Sequence, residues 1–173
     1  MKFIITTYLD ENNKYPEHLY GTIDKWKDKG INLQIYNGVF YKSIGAKTFQ
    51  ICYINFLNML KENIGNDIFF IEDDIIPTDK FDVNKLEIND RDCVYRLGYN
   101  KIRSNGHIIG TNCIIIPKEM IECIINKMEQ RRKQHIDYFL SLNIKNKIYK
   151  SNDLTIEIPH YSHIISSLRD GNY

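Results

Sequence analysis

Residues Cys113–Ile116 (CIII) are apolar without interruption, and a strand of that composition implies burial on both of its faces. The chain must therefore cover a sheet from two sides. A second apolar stretch, residues 68–71 (IFFI), runs straight into Glu72, Asp73 and Asp74 and then into Ile75 and Ile76. It reads as another buried strand, with three carboxylates at its mouth. Around these two strands the hydrophobic period alternates. Residues 2–8 (KFIITTY) form a β-branched run followed by polar turn residues. Pro16 is placed to open a helix over 17–29, with Leu19, Tyr20, Ile23 and Trp26 at helical spacing and Gly30 as its stop. Residues 31–39 read as a second strand. Ala46, Phe49, Cys52, Tyr53, Phe56, Leu57 and Leu60 then make the apolar stripe of a second helix.

After the acidic strand, residues 93–100 (CVYRLGYN) and 107–116 are further strand candidates. Pro117 switches the chain into a helix carrying Met120, Ile121, Ile124, Ile125 and Met128. Residues 134–143 (QHIDYFLSLN) read as a short helix, and residues 146–162 as a final strand or two. Strand, helix, strand, helix, strand and a mixed second half predict an α/β sandwich with a largely parallel sheet, whose ligands gather at the carboxyl ends of the strands. At 173 residues and 20.5 kDa the chain fits one domain, 1–173, with room for a core. No internal repeat or low-complexity linker interrupts it.

Composition narrows the function classes. The chain is 43% hydrophobic and 26% charged with a formal net charge of +1, so no bulk field draws it to nucleic acid or membrane. Abundant Ile, Asn and Lys with scarce Ala reads as the base composition of an A/T-rich genome, as in a low-GC bacterium, a virus or a phage. Cys52, Cys93, Cys113 and Cys123 show no CxxC pairing, which predicts free buried thiols in a reducing compartment. The apolar part of the opening MKFIITTY is too short for a signal segment, and no run approaches the roughly 20 residues that span a bilayer. The expected location is the cytoplasm.

The three acids carry the chemistry. Strand alternation would turn Glu72 and Asp74 one way and Asp73 the other, and like charges this close need a neutraliser. A hard divalent cation, Mg²⁺ or Mn²⁺, takes carboxylate oxygens and shares its remaining positions with substrate phosphate. Helix-capping acids at a solvated strand end are the plainer alternative. Receiver domains of response regulators also carry an acidic pair after an apolar strand, but they need a phosphoacceptor Asp two strands later. Residues 110–120 (GTNCIIIPKEM) have no acid at the strand end, and about seventy residues of α/β pattern precede the acids.

The order of elements, with IFFIEDDIIP after two strand-helix units, resembles a GT-A-fold glycosyltransferase. The EDD followed by IIP resembles in particular the lipooligosaccharide-type enzymes and their viral relatives. GTNCIIIPKEMIECII is similar to the later segment of that fold, so the resemblance runs over residues 1–165. It implies a metal-dependent transfer of sugar from a nucleotide-diphosphate donor, expected to be a UDP-sugar, to a hydroxyl of a glycan or of another acceptor. Asp74 would ligate the metal, Mn²⁺ or Mg²⁺, and Asp73 or Glu72 would contact the ribose or a metal-bound water. Thr6, Thr7 and Tyr8 would lie against the nucleobase and ribose. Asn37 and Gly38, with the 43–47 stretch, could complete the nucleoside pocket, unless they are turn and cap residues.

An inverting transfer needs a carboxylate to take the acceptor's proton, and Asp137 resembles the acid many such enzymes place near the start of a late helix. It could equally be a helix-start acid favoured by the dipole. His160 or His163 is expected to complete the metal coordination, as a late histidine does in many GT-A enzymes. The cationic stretch 127–135 (KMEQRRKQH) fits a solvated helix end, with a polyanionic acceptor such as DNA as its rival. A metal-binding nucleotide or phosphohydrolase domain without sugar transfer is the competing function.

Overall fold

The computed structural model describes residues 1–9, 14–38, 48–98, 101–106, 108–109, 113–149 and 156–157. The elements are β1 (Lys2–Tyr8), α1 (Glu17–Lys27), β2 (Gln34–Gly38), α2 (Thr48–Glu62), β3 (Ile68–Glu72), β4 (Ile76–Pro77), β5 (Val94–Gly98), β6 (Lys101–Ile102), β7 (Ile108–Ile109), β8 (Cys113–Ile116), α3 (Lys118–Glu129), α4 (Ile136–Asn143), β9 (Asn146–Ile148) and β10 (Ile156–Glu157). Six strands form one sheet in the order β2-β1-β3-β8-β5-β9, while β4 pairs with β10 and β6 with β7. Within the large sheet β8 runs against both neighbours and the other pairings are parallel. The expected α/β architecture with a mostly parallel, mixed sheet is the one observed.

Two cores sandwich the sheet, as the unbroken apolarity of β3 and β8 requires. Ile68, Phe70, Val94, Ile114 and Ile116 pack with Tyr53, Phe56, Met59 and Leu60 of α2, Ile121, Ile124 and Met128 of α3, and Phe139 and Leu140 of α4. The alternate residues Phe69, Ile71, Tyr95, Cys113 and Ile115 pack on the other face with Trp26 of α1, Ile75 and Phe81. Trp26 meets Phe81 and Phe69 edge-on, with centroids 5.0 and 5.6 Å apart, a favoured aromatic geometry.

Residue by residue, the helical stripes were read unevenly. All five residues expected on α3 are buried. On α1 the buried set is Leu19, Thr22 and Trp26, while Tyr20 is 58% exposed. The helix ends at Lys27 rather than 29. Gly30, at φ +76°, follows it, with Gly30 N–H bonded to the carbonyl of Lys27 and Ile31 N–H to that of Trp26, the paired bonds of a Schellman ending. The four thiols are free, but only Cys93 and Cys113 are buried. Cys52 and Cys123 are exposed because each sits one position, about 100° of helix, from the inward residues Tyr53 and Ile124.

Candidate active site

Since β1, β2, β3, β5 and β9 all point the same way, their carboxyl ends share one edge of the sheet. Among the described residues, that edge carries the ends of β1, β2 and β3. In register, Thr6 faces Glu72 across the β1–β3 pair, and Thr7 and Tyr8 face Asn37 and Gly38 across β1–β2. Asn37 and Tyr8 are placed here by their backbone alone. His160, His163 and residues 43–47 lie outside the described residues.

β3 stops at Glu72, and Asp73 and Asp74 occupy a turn closed by Ile75 N–H bonding the Glu72 carbonyl at 3.1 Å. Strand alternation therefore separates Glu72 from Asp73, while Asp74 is presented by the turn and not by the strand. Glu72 continues the row Ile68–Phe70 on the α2–α3–α4 face. Asp73 turns toward α1 and is 6% exposed. Its Oδ2 accepts the Thr7 hydroxyl at 2.5 Å and lies 3.4 Å from His18 Nε2. Its main-chain carbonyl accepts the Thr22 hydroxyl at 2.8 Å, and the carbonyl of Ile75 accepts Trp26 Nε1–H, also at 2.8 Å. Asp74 is half-buried, with its Oδ1 shielded from solvent. The Asp73 carboxylate beside it raises the His18 pKa; burial opposes it, and the charge of Asp74 adds to it. His18, Thr22 and Trp26 were not singled out in the sequence as site residues, although their spacing of four places all three on one helix face.

Asp137 lies in the first turn of α4. Its Oδ1 accepts the N–H of Tyr138 at 2.8 Å, and α4 is braced on α2 by the edge-on contact of Phe139 with Tyr53, 5.7 Å between centroids. Because α4 leads back into the start of β9, its N-terminus points to the carboxyl edge. Within the field of both Asp137 and Glu72 stands Arg96 of β5, a residue not singled out in the sequence. It is fully buried, and desolvation lowers its pKa to about 10, against which the charges of Asp137 and Glu72 work. Arg96 is thus still a cation at neutral pH, compensated by both acids. Its Nε donates to Asn146 Oδ1 at 2.8 Å, and Asn146 Nδ2 donates to the carbonyls of Leu140 and Ile144. The available signal was a lone arginine inside an otherwise apolar strand.

A literal Asp-X-Asp also occurs elsewhere. Among the described residues, ligand atoms of Asp90, Asp92 and Cys93 lie within 4.8 Å of one another, a possible metal site. It stands at the amino end of β5, the opposite edge of the sheet from Asp74. Lys147 and Lys145 already neutralise Asp90 and Asp92, each at 2.9 Å, and burial, reinforced by those acids, pushes the Cys93 thiol up. A cavity of about 710 Å³ lies along β9, lined among others by Tyr95, Ile108, Lys147 and Tyr149, and includes none of the three acids.

The acids at Glu72 and Asp74 suit a hard cation. Both are half-buried carboxylates at the end of β3, the ligand type that Mg²⁺ and Mn²⁺ prefer, whereas Asp73 is engaged by α1 and Thr7.

No protein-family model matches the sequence, and no curated protein is significantly similar to it. Solved structures do match. A glycosyltransferase involved in glycosylation of the major capsid of PBCV-1 superposes with TM-score 0.55 at 9% identity, over 87% of this chain and 82% of that one. The catalytic domain of Drosophila beta-1,4-galactosyltransferase 7, in complex with xylobiose, gives 0.56 at 12% identity over 94% and 72%. The glycosyltransferase GlyE of Streptococcus pneumoniae gives 0.51 at 9% over 86% and 45%. With its strand order and acidic turn, the chain has a GT-A-like fold, similar in structure to viral, animal and bacterial glycosyltransferases.

Proposed function

We propose that the protein is a metal-dependent glycosyltransferase that uses a nucleotide-diphosphate sugar. The observation that carries this reading is the position of Glu72 and Asp74 at the carboxyl end of a central parallel strand, beside the ends of β1 and β2, in a GT-A-like sheet. The choice of Mn²⁺ and of a UDP-sugar follows the Drosophila enzyme, whose structure is known with manganese, UDP-Gal and xylobiose.

In this reading Asp74 is the principal ligand of the cation, with Glu72 beside it and His160 or His163 closing the set. A divalent cation bound there offsets the charge that builds on the leaving diphosphate. Thr6, Tyr8 and Asn37 flank the nucleoside. Asp137 takes the proton from the acceptor hydroxyl as that oxygen attacks the anomeric carbon. Arg96 supplies a buried positive charge that interacts with both Asp137 and Glu72. The acceptor is a hydroxyl compound, a glycan before all others. A net charge of +1 does not favour a DNA acceptor.

The test is a panel of UDP-glucose, UDP-galactose, UDP-N-acetylglucosamine and GDP-mannose incubated with Mn²⁺ and scored for sugar release to water or to added glycans. Release of sugar and nucleoside diphosphate from one donor, lost in Asp74→Asn, is expected. Hydrolysis of the diphosphate itself, yielding nucleoside monophosphate, would assign the site to a phosphohydrolase instead.

A further inference from the structure

The turn that presents Asp74 is held from behind by one face of α1. His18, Thr22 and Trp26, four residues apart, reach three successive points of it: the Asp73 carboxylate at 3.4 Å, the Asp73 carbonyl at 2.8 Å and the Ile75 carbonyl at 2.8 Å. Thr7 closes the grip from β1 with a 2.5 Å bond to the same carboxylate. Asp73 is consequently directed into the molecule and buried, while Glu72 and Asp74 on either side of it are half-buried. A buried carboxylate costs free energy unless it is paired, and Thr7 and His18 supply that pairing within the protein. A hydroxyl, an imidazole and an indole on a helix face that covers a core are themselves unusual, and the polar turn explains why they are there.

We propose that Asp73 is a positioning residue and not a ligand, and that His18 acts through it to set where Asp74 meets the cation. The proposal rests on the donor-site reading above and sharpens it: of the three acids, Glu72 and Asp74 face the ligand while Asp73 is the anchor. In metal centres, partners that orient a ligand without touching the metal typically contribute about 10–100-fold to affinity. Trp26, the sole tryptophan of the chain, is bonded to the residue after Asp74 and so reports on the turn by its emission.

The experiment measures Mn²⁺ binding in the presence of UDP, by the electron paramagnetic resonance of free Mn²⁺ and by Trp26 emission, on the full chain. Asp74→Asn should abolish binding. His18→Ala and Asp73→Asn should each weaken it about 10-fold, and the double variant should be no weaker than the worse single one, because both remove the same grip. His18→Gln, which keeps a donor toward Asp73, should recover most of the loss. Melting temperatures without ligand identify any variant that is merely unfolded, and the glutamine variant keeps the His18 arm decisive in that case. Binding abolished by Asp73→Asn as fully as by Asp74→Asn overturns the proposal alone, as does a His18→Ala effect below about twofold. Absence of Mn²⁺ binding to the unsubstituted protein overturns the donor-site reading, and the proposal with it.

Discussion

Asn146 carries more of the interior than its size suggests. Its side chain accepts from the buried Arg96 and donates to the last carbonyl of one turn of α4 and to the residue that ends it. Removing it would leave a buried guanidinium N–H and the Ile144 carbonyl short of a partner, each worth about 1–3 kcal/mol, while the Leu140 carbonyl keeps the Ile144 N–H. Asn146→Ala should therefore destabilise the fold by about 2 kcal/mol or more in urea unfolding, well beyond an ordinary surface substitution. The three acids of the 72–74 turn could be read in the sequence because a run of like charge after an apolar strand is visible without any partner. His18, Thr22 and Asn146 could not, because what makes each of them matter is a residue far away along the chain; Arg96 gave only the signal of a lone charge in an apolar strand. Burial of a polar side chain is a property of the partner it meets, and no local pattern encodes that partner.

At the scale of elements, the same contrast separates α3 from α1. α3 packs on a largely apolar surface, so Met120, Ile121, Ile124, Ile125 and Met128 declare its inner face by spacing alone. Ile124→Ala should cost about 2–5 kcal/mol. α1 packs partly on the polar 73–75 turn, so its inner face mixes Leu19 and Trp26 with Thr22, and the apolar Tyr20 is left outside. Tyr20→Ala should change stability by no more than about 0.5 kcal/mol, whereas Thr22→Val, which strands the Asp73 carbonyl, should cost about 1–3 kcal/mol. Equal losses at the two positions, read from denaturant midpoints, would contradict this orientation of α1. The order of strands and helices was legible because period two and period 3.6 differ along the chain itself. The reversal of β8 was not, since strand direction within a sheet depends on which edge the chain returns from.

Across the whole molecule the sheet is polarised: the acids of the 72–74 turn stand at its carboxyl edge and ion pairs at its amino edge. There Arg91 bridges Asp67 at 2.5 Å and Glu119 at 2.8 Å, and Asp67 Oδ1 accepts the N–H of Lys118, the first residue of α3. Burial pushes the Asp67 carboxyl up, but Arg91 and the Lys118 amide outweigh it and hold it below its ordinary value. A carboxyl depressed in the folded state contributes stability that is complete above its unfolded pKa and is lost as pH falls through the folded one. Acid unfolding of Asp67→Asn should accordingly lose part of the pH dependence seen in the unsubstituted protein below the ordinary carboxylate range. The other edge holds the central claim, that Glu72 and Asp74 form a cation site for a nucleotide diphosphate. Its most direct test is the melting temperature with Mn²⁺ and UDP together, in the unsubstituted protein and in Asp74→Asn. Ligand at about 100 times its Kd stabilises by about 2.7 kcal/mol, a rise of roughly 5–10 °C for a domain of this size. The account predicts that rise, its dependence on both Mn²⁺ and UDP, and its disappearance in Asp74→Asn; an unchanged melting curve with Mn²⁺ and every one of UDP, GDP and related nucleotides would contradict it.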